Sequence, residues 1–206
     1  MKLRIYTLLI ACALLLGMPV ALTGCASEPP EVDEIYDTVV DLIERSYRAN
    51  DILYGYGLPV IAIGSELAEV NYVYNDKDYA DYEYVAEESS IVSVTSIKEL
   101  LESVYSSDFL DTYYTALFDG FLAGDTVFRA RYYETNDWLY QSIDNEPLVT
   151  WQRIYDYSTM RLTKPSRADY VSVIIDTHLE GEDTVLPVTI SIVYQDGHWY
   201  LDSPTY

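Results

Sequence analysis

Apolar residues between Val32 and Tyr54 recur at intervals of three and four, which is the spacing of one face of an α-helix. These positions are Ile35, Val39, Leu42, Ile43, Ala49, Ile52 and Leu53. Asp33 and Glu34 stand in the predicted first turn, where negative charge suits the helix dipole. The run from Gly55 to Pro59 ends the pattern. The sequence therefore predicts one long amphipathic helix.

Two shorter helices are predicted further along the chain. Ser96 and Glu99 have the spacing of a capping box, so we expect the second helix to start at Ser96. The run Ser106 to Asp108 offers fresh cap residues, and an apolar stripe with helical spacing then continues to Gly120. The pattern indicates two consecutive helices in this part of the chain.

Alternation with a period of two predicts strands elsewhere. Residues 67 to 86 alternate on both sides of a polar turn at Asn75 to Asp78, which indicates a hairpin. From residue 127 onward the same period predicts five strands: 127–133, 151–155, 170–175, 185–194 and 198–201. Short connections favour an antiparallel meander. We expect an α+β fold with N-terminal helices packed on one face of a curved, mainly antiparallel sheet.

The N-terminal segment has the layout of a bacterial export signal. Lys2 and Arg4 precede an apolar stretch from Ile5 to Leu16, which is shorter than the roughly 20 residues of a membrane-spanning helix. The sequence Leu22-Thr23-Gly24-Cys25 then resembles the lipobox of bacterial lipoproteins, in which the cysteine is diacylated before cleavage.

The lipobox implies a division of the chain into three parts. We expect residues 1–24 to be a lipoprotein signal peptide, residues 25–33 a tether, and residues 34–206 a single extracytoplasmic α+β domain. Cys12 leaves with the signal, so Cys25 is the one thiol of the mature chain and is expected to carry lipid. The predicted location is the extracytoplasmic face of the cell membrane, with the lipid on Cys25 as the only membrane contact.

Charge narrows the range of partners. The formal net charge is −22, and the signal contributes two basic residues and no acid, so the mature chain is more negative still. Such a chain is repelled by nucleic acid phosphates and by anionic lipid headgroups. We expect no nucleic acid partner. Either the charge only maintains solubility or it attracts a basic partner.

Motifs for catalysis and for metal binding are absent from the sequence. The only mature thiol is the predicted lipid site, and there is no Gly-x-Ser-x-Gly elbow, His-Glu-x-x-His helix or phosphate-binding glycine loop. A structural or solvent-facing role is expected for the two histidines, His178 and His198. Asp76-x-Asp78 superficially resembles a calcium loop, but Asp81 stands where that loop needs glycine. We expect no catalytic residue, no metal and no cofactor.

Two clusters are candidates for binding. Tyrosines and acids alternate around the predicted 75–78 turn and form a candidate partner-binding tip. Its members are Asp76, Asp78, Tyr79, Asp81 and Tyr82. The second cluster is basic and comprises Arg153, Arg161, Lys164 and Arg167. These four either balance nearby acids or form a concave site for a carboxylate.

Several segments together resemble secreted inhibitors of peptidoglycan hydrolases of the DL-endopeptidase class. The segments are TSIKELLESVYSSDF at 95–109, ARYYE at 130–134, PLVTWQRI at 147–154 and YQDGHWYLDSPTY at 194–206. The resemblance as a whole covers roughly residues 35 to 202. The resemblance implies a non-enzymatic protein that blocks the active-site cleft of a wall hydrolase through an exposed loop. The order of helices and strands also resembles the nuclear transport factor-like cone fold, which encloses a pocket between helix and sheet.

The sequence therefore supports three ranked hypotheses for function. The first is a lipid-anchored, non-enzymatic inhibitor or regulator of cell-wall peptidoglycan hydrolases, with a basic wall-associated protein as partner. The second is a cone-fold lipoprotein that binds a small molecule or peptide between helix and sheet. The third is an enzyme of the isomerase type with a pocket of Tyr and Asp side chains.

Substitution of the lipobox cysteine tests the predicted anchor. We expect Cys25→Ser to release the protein from the membrane fraction or to leave an uncleaved precursor, because no other attachment is predicted. Immunoblots of membrane and medium fractions measure the distribution, and Cys12→Ser is the matched control that should leave it unchanged. Mass spectrometry that finds wild-type Cys25 unmodified would contradict the prediction.

Overall fold

The computed structural model describes residues 28–61, 82–85, 91–135, 138–142, 147–149 and 151–206, with the backbone alone for 82–85. Its helices are α1 (Val32–Leu53), α2 (Val94–Glu102) and α3 (Ser107–Tyr114), and α3 runs into a π-helical turn at Thr115–Asp119. The first strands are β1 (Val60–Ile61), β2 (Tyr82–Val85), β3 (Phe121–Ala123), β4 (Thr126–Phe128), β5 (Tyr132–Thr135) and β6 (Trp138–Ser142). Four more follow as β7 (Arg153–Arg167), β8 (Tyr170–Leu179), β9 (Leu186–Gln195) and β10 (His198–Leu201).

Helix α1 confirms the predicted amphipathic stripe, because all seven of its apolar positions are buried. The helix begins at Val32, inside the segment predicted as tether. Its first turn is closed by the Glu34 carboxylate, which accepts a hydrogen bond from the Glu31 N–H at 2.9 Å. Two polar residues, Ser46 and Asn50, lie on or beside the same stripe. Both contribute to the site described below.

The predicted start of the second helix is wrong by two residues. Helix α2 begins at Val94 with Ser93 as its N-cap, and the Ser93 hydroxyl accepts from the Ser96 N–H at 3.0 Å. The Ser96 hydroxyl accepts in return from the Ser93 N–H at 3.0 Å. Ser96 therefore takes the place that glutamate usually has in a capping box. Helix α3 starts as predicted, with Ser106 capping the Phe109 N–H at 3.2 Å.

Strands β7 to β10 form the predicted antiparallel meander, in the order β10-β9-β8-β7. The inner positions of β8 and β9 are fully buried against the helices and include Val171, Val173, Ile175, Ile190 and Ile192. These residues and the α1 stripe belong to one apolar core. The core therefore extends along α1 from Ile35 to Leu53.

Strand β7 is three times as long as its predicted segment, and it is irregular. Its register against β8 shifts between Asp156 and Arg161, so that extra residues of β7 face a shorter stretch of β8. Thr159 holds this bulge, because its hydroxyl donates to the Asp156 carbonyl at 2.8 Å and accepts from the Asp176 N–H at 2.8 Å. Bulges of this kind bend a strand and contribute to the curvature of a sheet.

The other four-stranded sheet has the order β1-β2-β6-β5, and the sequence patterns missed β1 and β6. The segment predicted as one strand at 127–133 is divided between β4 and β5. The division occurs because the chain turns toward α3 at Arg131, whose N–H donates to the Ala116 carbonyl at 3.1 Å. Strand β3, also missed, pairs with β4 in a separate hairpin with exposed apolar residues.

The predicted 67–86 hairpin and its turn lie outside the described residues apart from β2, whose strand backbone is confirmed. Strand β2 pairs in an antiparallel register with β1 on one side and with β6 on the other. Ile61 and Tyr82 therefore lie at the same end of neighbouring strands. Helices together with mainly antiparallel sheets confirm the α+β class.

Candidate functional site

A cleft of about 270 Å³ lies where the C-terminal half of α1 meets the start of β7. Four separate parts of the chain form its walls: the C-terminal half of α1 with the loop after it, the segment that leads into β7, Glu180 after β8, and the last two residues. The lining residues are Tyr47, Asn50, Asp51, Gly55, Tyr56, Val149, Trp151, Gln152, Arg153, Glu180, Thr205 and Tyr206. The cleft is thus located between a helix and a sheet.

The floor of the cleft is built around the hydroxyl of Thr205, a residue that is 1% exposed. The Ser46 hydroxyl donates its hydrogen to the Ile43 carbonyl at 2.6 Å. Because that hydrogen is used, the Thr205 hydroxyl is the donor in the 2.6 Å bond between the Ser46 and Thr205 hydroxyl groups. Asn50 Nδ2 donates to Thr205 Oγ1 at 2.8 Å, and the Tyr105 hydroxyl donates to Asn50 Oδ1 at 2.6 Å. A continuous chain of hydrogen bonds therefore joins α1, the end of α2 and the C-terminal segment.

The same residue is bonded to the sheet through its carbonyl. Tyr155 of β7 donates its hydroxyl to the Thr205 carbonyl at 2.7 Å. Burial raises the pKa of both Tyr105 and Tyr155 above the ordinary tyrosine value. Both phenols are therefore neutral donors at physiological pH, which is the protonation state that these hydrogen bonds require.

The loop after α1 is fixed by the side chains of Gln141 in β6 and of Arg131, which precedes β5. Gln141 donates to the Tyr56 carbonyl at 2.9 Å and accepts from the Leu58 N–H at 2.7 Å. Gly57 lies in the left-handed region at φ 84°, and a Cβ there would overlap the Gln141 amide. Arg131, itself buried, donates to the Gly55 carbonyl at 2.5 Å. The loop is therefore held rigidly with Tyr56 projecting at the cleft mouth.

Arg153 is the cationic group of the cleft. Its Nη1 donates to Thr177 Oγ1 at 2.9 Å, and its carbonyl accepts from the Tyr47 hydroxyl at 3.0 Å. Its Nε is shielded from solvent and has no hydrogen-bond partner among the described residues. A buried N–H that lacks a partner costs on the order of 1–3 kcal/mol.

Aromatic and acidic side chains surround Arg153. Tyr56, Trp151 and Tyr206 are 69%, 48% and 36% exposed, so their rings are open to a ligand. Asp51 and Glu180 provide carboxylates on the lining. Burial raises the pKa of Asp51 above its ordinary value, against the opposing effect of Arg48 and Arg131. The cleft therefore combines one cation, two acids and an apolar aromatic surface.

The structure separates the four residues of the predicted basic cluster. Arg161 Nη1 lies 3.7 Å from Asp176 Oδ1, and Arg167 Nε lies 3.1 Å from Asp169 Oδ1. Lys164 is exposed near the far end of β7. Arg161 and Arg167 thus balance nearby acids, which was one of the two expectations. Arg153 alone lies on a concave site.

The other predicted site residues fall largely outside the described part of the chain. Cys25, Asp76, Asp78, Tyr79 and Asp81 are among residues whose structure is not described. Tyr82 begins β2, and its backbone pairs with Ser142 of β6. The partner-binding role of these residues therefore stays a prediction.

The two histidines lie on different strands and are not neighbours in the sheet. His178 is on β8, opposite Ile154, and His198 begins β10, opposite Gln195. Strand β9 lies between them. Within the described ranges, no three His, Cys, Asp or Glu side chains are placed to hold a metal ion.

Sequence patterns missed most of the cleft, but one signal for it was present. Ser46 and Asn50 are four residues apart on α1, at positions where the apolar stripe predicts core residues. Polar residues at such positions require buried hydrogen-bond partners. For Thr205, Tyr206 and Trp151 the sequence offered no pattern, because their roles depend on contacts with residues far away in the chain.

Comparisons with known proteins identify no relative. No protein-family model matches this chain, and no curated protein matches it significantly. Among the described residues, no helix has both the length and the apolar character that a membrane span requires. The function is therefore inferred from the site itself.

The buried tyrosines predict a loss of stability at alkaline pH. Their pKa values are higher in the folded chain than in the unfolded chain, so the folded state binds more protons above about pH 10. The contribution of these tyrosines to the free energy of unfolding is fully present below about pH 10. It is lost as the pH rises toward the pKa values of the tyrosines in the folded chain. Between about pH 10 and pH 11 we expect a loss of up to about 1.4 kcal/mol for each such tyrosine.

Urea unfolding over this pH range measures the effect. Tyr155→Phe should reduce the pH dependence, because the phenylalanine ring does not titrate. An unfolding free energy of the wild type that is unchanged between about pH 9 and about pH 11 would contradict the prediction.

Proposed function

We propose that this protein is a lipid-anchored, extracytoplasmic, non-enzymatic binding protein that takes a small molecule or short peptide in the cleft between α1 and the sheet. The observation that carries the proposal is that Arg153 lines a cleft together with the exposed aromatic residues Tyr56, Trp151 and Tyr206. Convergent polar groups within an aromatic concavity are typical of ligand sites. The lipobox supports the location of the protein.

The construction of the cleft supports a preformed site. Thr205 is held by hydrogen bonds from α1 and β7, and the Gly55–Leu58 loop is fixed by Gln141 and Arg131. The segment before β7 is fixed as well, because the Leu148 N–H donates to the Tyr54 carbonyl at 2.7 Å. A site whose walls are fixed in advance binds with less loss of conformational entropy.

Regulation of a cell-wall peptidoglycan hydrolase is the second candidate. Its support is that β1 ends at Ile61 and β2 begins at Tyr82, on neighbouring antiparallel strands. The intervening segment carries the acids and tyrosines of the predicted partner-binding tip. The strongly negative net charge favours a basic partner for such a surface.

A thermal-shift experiment tests the cleft. We expect at least one member of a panel of amino acids, dipeptides, nucleosides and monosaccharides to raise the melting temperature of the full chain. Trp151→Ala should weaken binding of that compound at least tenfold, because it removes an exposed ring from the lining. The matched control is Leu148→Ala, which removes an exposed apolar side chain from the neighbouring segment without changing the lining.

Two outcomes would contradict the proposal. One is that no member of the panel raises the melting temperature, and the other is that Trp151→Ala binds as tightly as the wild type. If in addition the chain inhibits a purified peptidoglycan hydrolase, and Asp76→Asn, Asp78→Asn and Asp81→Asn together remove that inhibition, the second candidate replaces the first.

A further inference from the structure

We propose that the ligand of the cleft is a zwitterion, namely an amino acid or short peptide with a free carboxylate and a free ammonium group. This inference rests on the proposed binding function and specifies its ligand class. The argument uses the charges of the lining, the geometry of Arg153, and the size of the cleft.

The carboxylate end is assigned to Arg153. A guanidinium group binds a carboxylate through two parallel N–H donors, either end-on through Nη1 and Nη2 or side-on through Nε and Nη2. The hydrogen bond to Thr177 occupies Nη1, and the Thr177 hydroxyl itself donates to the Leu186 carbonyl at 2.7 Å. Nε is shielded from solvent, so Nη2 is the remaining terminal nitrogen through which a carboxylate in the cleft can contact Arg153.

The ammonium end is assigned to the acidic and aromatic part of the lining. Asp51 and Glu180 are the carboxylates of the cleft, and the exposed rings of Tyr56, Trp151 and Tyr206 border the same volume. Carboxylates and aromatic faces both attract ammonium groups. The net charge of −22 adds a long-range attraction for a cationic group.

The mixture of charges disfavours ligands that carry charge of one sign only. A simple carboxylate would meet Asp51 and Glu180 as well as Arg153, and a simple cation would meet Arg153. A ligand with both charges offers a carboxylate to Arg153 and an ammonium group to the acidic part of the lining. The cleft volume of about 270 Å³ is at the small end for ligand sites, which fits an amino acid or dipeptide.

A series of blocked dipeptides separates the two charges. The probes are glycyl-tyrosine, its C-terminal amide and its N-acetyl derivative, measured by isothermal titration calorimetry on the full chain purified in detergent. We expect each blocking group to weaken binding at least tenfold, which corresponds to about 1.4 kcal/mol.

Variants assign each charge to its residue. Arg153→Gln should remove the preference for the free carboxylate over the amide while keeping the preference for the free amine. Arg161→Gln is the matched control on the same strand, outside the cleft, and should keep both preferences. Glu180→Gln should reduce the preference for the free amine, with the exposed Glu182→Gln as its control.

The outcomes distinguish the ligand class from the binding function. The zwitterion class is wrong if all three dipeptides bind equally. It is also wrong if no dipeptide binds but an uncharged compound does and Trp151→Ala abolishes that binding. In both cases the cleft still has a ligand. If no compound of any class binds, the proposed function fails and this inference fails with it. If Arg153→Gln prefers the free carboxylate over the amide as strongly as the wild type does, the assignment of the carboxylate end to Arg153 is wrong.

Discussion

The hydroxyl of Thr205 holds together the elements on which the candidate site depends. It donates to Ser46 and accepts from Asn50, while the Thr205 carbonyl accepts from Tyr155 of the sheet. Ser46, Thr205 and Tyr155 are buried and Asn50 is half-buried, so a bond that is lost leaves a buried donor or acceptor without a partner. Such a network has a strong geometric preference, because only one relative placement of helix, sheet and C-terminal segment satisfies every member.

The cleft follows from that placement. Apolar side chains fill the space between α1 and the sheet, and in the C-terminal half of the helix the polar residues Ser46 and Asn50 lie among them. The hydrogen-bonded floor keeps the C-terminal segment against the helix, and the Tyr206 ring packs at a tilt against Tyr54 beside the cleft, with ring centroids 4.3 Å apart. Arg153 stands at the first position of β7, where the sheet reaches this floor. The position of the cleft, its cation and its aromatic surface therefore all depend on the hydrogen-bonded floor around Thr205.

Local patterns in the sequence predicted what is determined locally. The apolar spacing of α1, the Ser106 cap and the alternation in β8 to β10 each reflect the interactions of residues close together in the chain. The patterns failed where distant contacts decide: β4 and β5 are separate because the Arg131 N–H bonds to the Ala116 carbonyl, and the cleft unites residues near 50, near 150, at 180 and at 205. Of the four residues in the predicted basic cluster, Arg153 lies on the cleft and the other three do not, because charge type alone does not reveal which arginines have an acid nearby.

The stability of Thr205→Val tests most directly whether this network holds the site together. Valine has nearly the same shape but no hydroxyl, so Ser46 and Asn50 would each lose a buried partner. The account predicts that the free energy of unfolding falls by about 1–3 kcal/mol, measured by urea denaturation below pH 9. The exposed Thr184→Val is the control and should change it by less than about 0.5 kcal/mol. A Thr205→Val protein as stable as the control would contradict the central role of this hydroxyl.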